Sequence, residues 1–312
     1  MPSAKHIKQR IKSVKNTAQI TKAMEVVSAT KMRKSQEFAL RARPYAAAAL
    51  ELLKNLLSRT RNLPPLLRTR PVKKTALLVV TSDKGLAGAF NANVFRKAET
   101  RLAQTEFPVV LITVGKKARD YFERRGVTID RSFWGFGDYS SPEETRSVAD
   151  HILNGFSYGQ WDEVEAVYTN FRTTLVQEAV RRKILPATKD GLEEAVKEIL
   201  PERGRFAESR INPRLNRGQE SREKYKYEYK FEPSAEEVLN LLVPQLIRMQ
   251  IHHIILESNA SEHSARMVAM KNASDNANEL ISELNLEFNK SRQAAVTREL
   301  VEITAGAEAQ IS

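Results

Sequence analysis

Apolar residues along this chain repeat in two rhythms, and the change between them divides it. From Ser3 to Arg43 and again from Gln245 to Ala305 they recur every three to four residues, and neither run contains Gly or Pro, the main helix breakers. The runs hold 41 and 61 residues; as single helices they would reach about 60 and 90 Å at ~1.5 Å per residue. In the first, Ile7, Ile11 and Val14, then Ile20, Met24 and Val27, set the spacing, and polar Thr17 and Thr21 keep it from being a clean heptad. Near the end of the second, Val296, Leu300, Ile303 and Ala307 share one narrow stripe at about 100° per residue. Gln293 and Thr297 edge it on one side, Arg292 and Glu299 on the other. A strip this narrow seats one helix rather than a globular core, so the two runs are expected to pair, with the stripe lying on the first helix.

Between the runs the rhythm shortens. Tyr45 to Ser58 continues helical after Pro44, and Leu63-Pro-Pro65 and Pro71 mark a boundary near residue 72. Thr75 to Val80, Phe107 to Val114, Val127 to Phe133 and Val164 to Phe171 read as strands. Helices are expected at 89–105, 116–125 and 142–156, and the alternation predicts a Rossmann-like α/β domain with a mostly parallel sheet and right-handed crossovers. Leu175 to Leu185 closes that domain, and Pro186 to Glu223, interrupted by prolines, reads as a peripheral, insertion-like segment. Tyr225, Tyr227, Tyr229 and Phe231 alternate with charged residues over 224–232, the period of a strand. Ser234 followed by Glu237 predicts a capping box opening the last helix, with Pro244 inside its first turns. The expected division is a helix in 1–60, an α/β domain in 72–233 that includes the 186–223 segment, and a helix in 234–312.

Charge sharpens this picture. The net charge is +12, and Ser3 to Arg43 holds eleven Lys or Arg against Glu25 and Glu37, a local excess of +9. A narrow seam under a basic exterior suits a helix that faces an acidic outer partner. A basic nucleic-acid-binding coiled coil is the alternative reading, although no aromatic or glycine interleaving and no binding motif accompany the charge. No run of about 18 apolar residues marks a membrane span, and the basic N-terminus lacks the apolar core of a signal peptide. Without cysteine, the chain has no disulfide, thiol chemistry or cysteine metal site.

Candidate chemistry is sparse. Ser82-Asp-Lys-Gly-Leu-Ala-Gly88 stands at the end of the first strand, where doubly wound folds bind ligands. It matches neither glycine-rich phosphate motif, and although Asp83 and Lys84 could act on a small molecule, no His or second carboxylate is recognisably placed to join them. Gly85 and Gly88 permitting a tight turn is the preferred reading. His252 and His253 are neighbours on different faces of a helix and His263 stands alone, so the histidines read as structural. The pattern calls for no catalytic residue, cofactor or metal.

Three stretches carry a family likeness. Ile11-Lys-Ser-Val-Lys-Asn-Thr-Ala-Gln-Ile-Thr-Lys-Ala-Met-Glu25 with Lys31-Met-Arg-Lys34, the Ser82 to Gly88 turn, and the pair Arg266-Met-Val-Ala-Met-Lys-Asn-Ala-Ser-Asp-Asn276 and Val296-Thr-Arg-Glu-Leu-Val-Glu-Ile-Thr-Ala-Gly306 resemble the gamma subunit of F-type ATP synthases. The likeness spans about residues 5–185 and 224 to the end; the 186–223 segment departs from compact bacterial relatives. The resemblance implies a long antiparallel coiled coil of the terminal helices, turning inside a ring of alpha and beta subunits. It also implies a domain beside epsilon and the membrane c-ring, with no direct membrane insertion and no nucleic acid. By similarity, Met24, Arg292, Gln293, Thr297 and Glu299 would meet beta-subunit loops, at the cytoplasmic face of a bacterial inner membrane. Whether protons or sodium ions drive such a rotor is left open.

Overall fold

The computed structural model describes residues 4–41, 48–49, 51–53, 55–57, 60, 63–104, 106–188, 191 and 230–311. These residues form helix α1 (Ala4–Arg41), strand β1 (Thr75–Val80), α2 (Phe90–Ala103), β2 (Val109–Val114), α3 (Lys116–Glu123), β3 (Ile129–Phe133), α4 (Pro142–Ser157), β4 (Glu163–Phe171), β5 (Gln177–Leu185) and α5 (Ala235–Ile311). The described residues at 48–49, 51–53 and 55–57 are helical too, as expected. Helix α5 runs unbroken for 77 residues with Pro244 inside it. Its start carries the side-chain half of the predicted capping box, the Glu237 backbone N–H donating to Ser234 Oγ at 3.2 Å. The chain divides into two compact units, Met1–Thr30 with Arg266–Ser312, and Lys31–Ala265.

In the first unit α1 pairs antiparallel with the far part of α5. Ile7, Ile11 and Leu284 are buried together, with Val14, Leu280 and Phe288 packed against them. The covered positions of α1 are Ile7, Ile11, Val14, Ala18, Thr21, Glu25 and Ser28, spaced alternately four and three. Those of α5 keep the same alternation at Met270, Ser274, Ala277, Ile281, Leu284, Phe288 and Ser291. This is the 3.5-residue repeat of a left-handed coiled coil. The heptad is therefore clean, contrary to the sequence reading, because small and polar residues occupy it after Val14. Thr21 fits since its hydroxyl donates to the carbonyls of Thr17 and Ala18, each at 3.0 Å, within its own helix.

The second unit is built on one sheet of strand order β3-β2-β1-β4-β5. The pairs β1–β2, β2–β3 and β1–β4 are parallel, and β5 returns antiparallel beside β4. Strand β1 is central and buried along its whole length, which is why it reads Thr-Ala-Leu-Leu-Val-Val with no alternation. Helices α2 and α3 cover one face through Val94, Ala98, Ala118 and Phe122 on Leu77, Val79 and Leu111. The other face lies under α4 and the first part of α5, with Ile152, Phe156, Ile247 and Ile254 against Leu78, Ile112 and Tyr168. Serines let α5 approach β4 closely: Ser258 Oγ accepts from the Thr169 N–H and Ser261 Oγ donates to the Thr169 carbonyl, both at 3.3 Å.

Two charged devices complete this unit. Glu165 is buried mid-strand on the α2 face, an expensive place for a carboxylate unless it is paired. Arg101 of α2 supplies the partner, and Arg181 of β5 approaches at 3.9 Å. Arg70 pairs with Asp162 at 2.8 Å and stacks over Phe156. Of the 186–223 segment only Pro186–Thr188 and Gly191 are described; Ala187 is buried, its N–H on the Leu66 carbonyl at 2.9 Å. The expected strand at 224–232 lies outside the described residues apart from Lys230, Phe231 and Glu232, which are not in a strand.

Candidate partner interface

The first candidate, the turn at the end of β1, is a structural joint. Asp83 accepts from the Lys116 N–H at 2.9 Å with one carboxylate oxygen and from the Gly135 N–H at 2.8 Å with the other. It thereby ties together the loops that follow β1, β2 and β3. Ser82 and Asn91 exchange hydrogen bonds, with Asn91 Nδ2 donating to Ser82 Oγ at 2.7 Å, which fastens the turn to α2. The left-handed residues are Leu86 (φ 63°) and Gly88 (φ 56°), so the expected role of Gly85 falls to Leu86 instead. Both oxygens of Asp83 are thus occupied by backbone donors.

Three of the five histidines likewise hold elements together. His252 Nδ1 lies 3.0 Å from Thr145 Oγ1, and burial pushes its pKa below the ordinary value against the opposing pull of Glu143. His151 meets Asp130 at 2.7 Å. His263 does not stand alone: it is buried against Asp138 at 3.2 Å.

On the paired helices the geometry is different. The sequence reading followed the larger apolar residues of α1 from Val14 to Ile20, Met24 and Val27, whereas the buried seam continues through Ala18, Thr21, Glu25 and Ser28. Ile20 is 61% exposed and Val27 51%, and Met24 is half-buried between stripe and seam. A helix turns about 100° per residue, so a stripe one residue out of step with the seam faces well away from it.

The end of α5 repeats this offset. Its seam would continue from Ser291 to Ala295 and Arg298, but the apolar residues stand at Val296, Leu300 and Ile303, which are 50, 57 and 67% exposed. The expectation that this stripe packs on the first helix is therefore overturned. The physical reason is phase: Val296, Leu300 and Ile303 stand out of step with Ala295 and Arg298, the positions that continue the spacing of the seam beyond Ser291, and all three are exposed. Arg292, Gln293, Thr297 and Glu299 flank it and are all exposed. Thr297 Oγ1 donates to the Gln293 carbonyl at 2.9 Å, which joins these two neighbours on one edge. Met24, on the other helix, is not shown beside these four. The sequence reading missed Ile20 and Val27 as outward residues; the signal available was that Thr21 and Ser28 keep the three-four spacing from Ile7 while Ile20 and Val27 break it.

The comparisons with known proteins agree with this architecture. The ATP synthase family profile matches residues 3–310. The ATP synthase gamma chain of Pelotomaculum thermopropionicum is 41% identical over 310 residues, covering 99% of each chain. That of Chloroflexus aurantiacus is 41% identical over 319 residues, covering 100% of both. Among solved structures, the fold is similar to a chain of the Euglena gracilis mitochondrial ATP synthase, OSCP/F1/c-ring in rotational state 3. There the TM-score is 0.62 at 20% identity, with 98% of this chain and 94% of that one covered. It is also similar to a chain of the Tetrahymena thermophila mitochondrial central stalk and c-ring, at TM-score 0.57 and 21% identity, covering 82 and 99%. With full-length identity at this level and a family profile spanning the chain, it belongs to the ATP synthase gamma-chain family, the central rotor shaft that couples ion-driven rotation to ATP synthesis and hydrolysis.

Proposed function

We propose that this rotor touches its catalytic ring of alpha and beta subunits through the two outward stripes and their polar edges. Met24 beside Ile20 and Val27 would serve on α1, and Arg292, Gln293, Thr297 and Glu299 around Val296, Leu300 and Ile303 on α5. The observation that carries this reading is the offset: apolar residues lie out of phase with the filled seam on α1, and with the continuation of the seam beyond Ser291 on α5. The basic face of α1 adds charge suited to acidic loops on the ring, and family membership leaves the nucleic-acid reading without support. The shaft is the helix pair within 1–60 and 234–312, and the α/β domain of 72–233 meets epsilon and the c-ring.

The mechanism is differential contact. A shaft whose faces differ presents each of the three catalytic sites with a different surface, and a subunit with two states shifts only by the difference in its contacts. Charge-assisted hydrogen bonds contribute about 1.5–3 kcal/mol each and neutral ones about 0.5–1.5. Arg292 with Gln293 and Thr297 therefore supplies several kcal/mol, the scale that moves a two-state subunit from one population to the other. The chain would carry no catalytic residue of its own, consistent with the occupied carboxylate of Asp83. Among the described residues no helix is long and apolar enough to cross a membrane; we place the protein as a peripheral subunit at the cytoplasmic face of a bacterial inner membrane.

The test is alanine at Arg292, Gln293 and Thr297 together in the assembled complex. Loss of assembly or of ATP turnover is expected, while alanine at the exposed Glu287 and Lys290 does far less. An assembled triple variant with wild-type hydrolysis and synthesis would remove these residues from the coupling contact.

A further inference from the structure

The loop of residues 134–141, between β3 and α4, is held at both ends. Near its start the Gly135 N–H donates to Asp83 at 2.8 Å, beside the sheet. Its other end is the capping box of α4, with Ser141 N–H on Glu144 at 2.9 Å and Glu144 N–H on Ser141 Oγ at 3.3 Å. Between these fixed ends, two consecutive residues reach to long helices. The Asp138 carboxylate pairs with Lys31 of α1 at 2.6 Å through one oxygen and with His263 of α5 at 3.2 Å through the other. Its carbonyl accepts from Ser35 Oγ at 3.1 Å. Tyr139 stacks on Phe38 with ring centroids 5.7 Å apart and takes Lys34 over its face.

Lys31, Lys34, Ser35 and Phe38 lie at spacings of three and four, so the loop grips one face of α1 over two turns. Burial works to raise the Asp138 carboxyl, but the hydrogen bond from Lys31 and the charges of His263, Lys31 and Lys84 outweigh it and hold the group below the usual carboxylate range. Asp138 is thus a stable anion at working pH. All of these residues belong to the second unit, and Lys31 is the boundary position of α1 in it while His263 lies two residues from the boundary of α5 at Ala265. Helix α5 is also held there by its broad apolar face on the sheet. On α1, the contacts this loop makes are polar and aromatic.

We propose that this loop is the torsional anchor of the rotor, with Asp138 the positioning residue that fixes both shaft helices to the α/β domain. A helix turning about its own axis must drag side chains lying about 5 Å from that axis, by the helix diameter. Contacts spread over two turns of one face resist that motion more than a single contact does. The inference rests on the rotor function and adds the place where twist enters the domain.

The experiment uses the full chain in its assembled complex, with the catalytic ring fixed to a surface and a probe on the membrane-ring end. Angular fluctuation of the probe during a catalytic pause reads the stiffness of the shaft. Asp138→Ala is expected to raise the angular variance above wild type, and Asp138→Glu to return it toward wild type. Asp130→Asn, which removes the His151 pairing instead, should leave it unchanged. Should Asp138→Ala fail to assemble, Lys31→Met and Tyr139→Leu carry the same expectation and leave His263 paired. Assembled variants with wild-type variance would overturn the proposal and make the loop a stabilising feature only. A wild-type complex that does not turn with ATP would fail the rotor function itself, a different result.

Discussion

Replacing Ile20 and Val27 together by serine separates a partner-facing stripe from a helix-pairing seam. In the free chain the two side chains are 61 and 51% exposed. Full burial of a large aliphatic side chain contributes about 1.5–3 kcal/mol, so a little over half of that remains to be gained on contact, roughly 1–2 kcal/mol each. Losing both should weaken association with the catalytic ring by about 2–3 kcal/mol, or about 30- to 150-fold in Kd. The free chain should lose little, about 0.5 kcal/mol or less, because Ile and Ser have similar helix propensity and the sites are open. Ile11→Ala is the contrasting change: Ile11 is buried in the cluster with Leu284, and emptying such a site costs about 2–5 kcal/mol. Chemical denaturation followed through α1 measures the changes in stability, and titration of the labelled chain into alpha–beta assemblies measures the loss of affinity. A double serine variant that loses several kcal/mol of its own stability would place Ile20 and Val27 in the seam. One that binds the ring as wild type would mean the stripe faces no partner.

Three further outcomes test the second unit. Gly155→Ala should destabilise it by about 1–3 kcal/mol despite the better helix former, since the new Cβ would stand 1.9 Å from Cζ2 of buried Trp161; thermal or denaturant unfolding checks this. Arg101→Met, leaving Glu165 without its main partner, should cost about 3–5 kcal/mol in the same assay, and a neutral result would show that Arg181 suffices. His252 has a lowered pKa in the folded chain, so the unfolded chain binds the extra proton first, and stability should fall as pH drops below about 6.5. His252→Gln should flatten that acid limb in a series of unfolding curves, and an unchanged slope would assign the limb to other groups.

The α/β domain is legible because four of its strands carry their own signal. Thr75 to Val80 has no polar interruption after its first residue and is found where expected, and α4 starts at Pro142 as expected. Strand β5 is less plain: Glu178, Arg181 and Lys183 break its apolar pattern because, among the described residues, it is the last strand of the sheet and its charges face solvent and the acids of β4. The Asp138 cluster could not be read at all. Its members are separated by more than a hundred residues on either side, and a lone Asp, Lys or His carries no local pattern.

The two stripes fall between these cases. Their residues are visible in the sequence, but their direction is not, because apolar positions ordinarily mark the helix-pairing side. Here the pairing side is filled by Ala18, Thr21, Ser28, Ser274 and Ala277, small enough for two backbones to lie close with little apolar surface. A seam of this kind is weaker per residue than one of leucine and isoleucine, and the anchoring cluster of Ile7, Ile11, Leu284 and Phe288 offsets that at one end. The larger side chains are then free for the outside of the shaft. For a helix pair that must present an apolar surface to surrounding subunits, phase carries the information that composition hides: Ile20 and Thr21 are neighbours in sequence, and the threonine is the one inside.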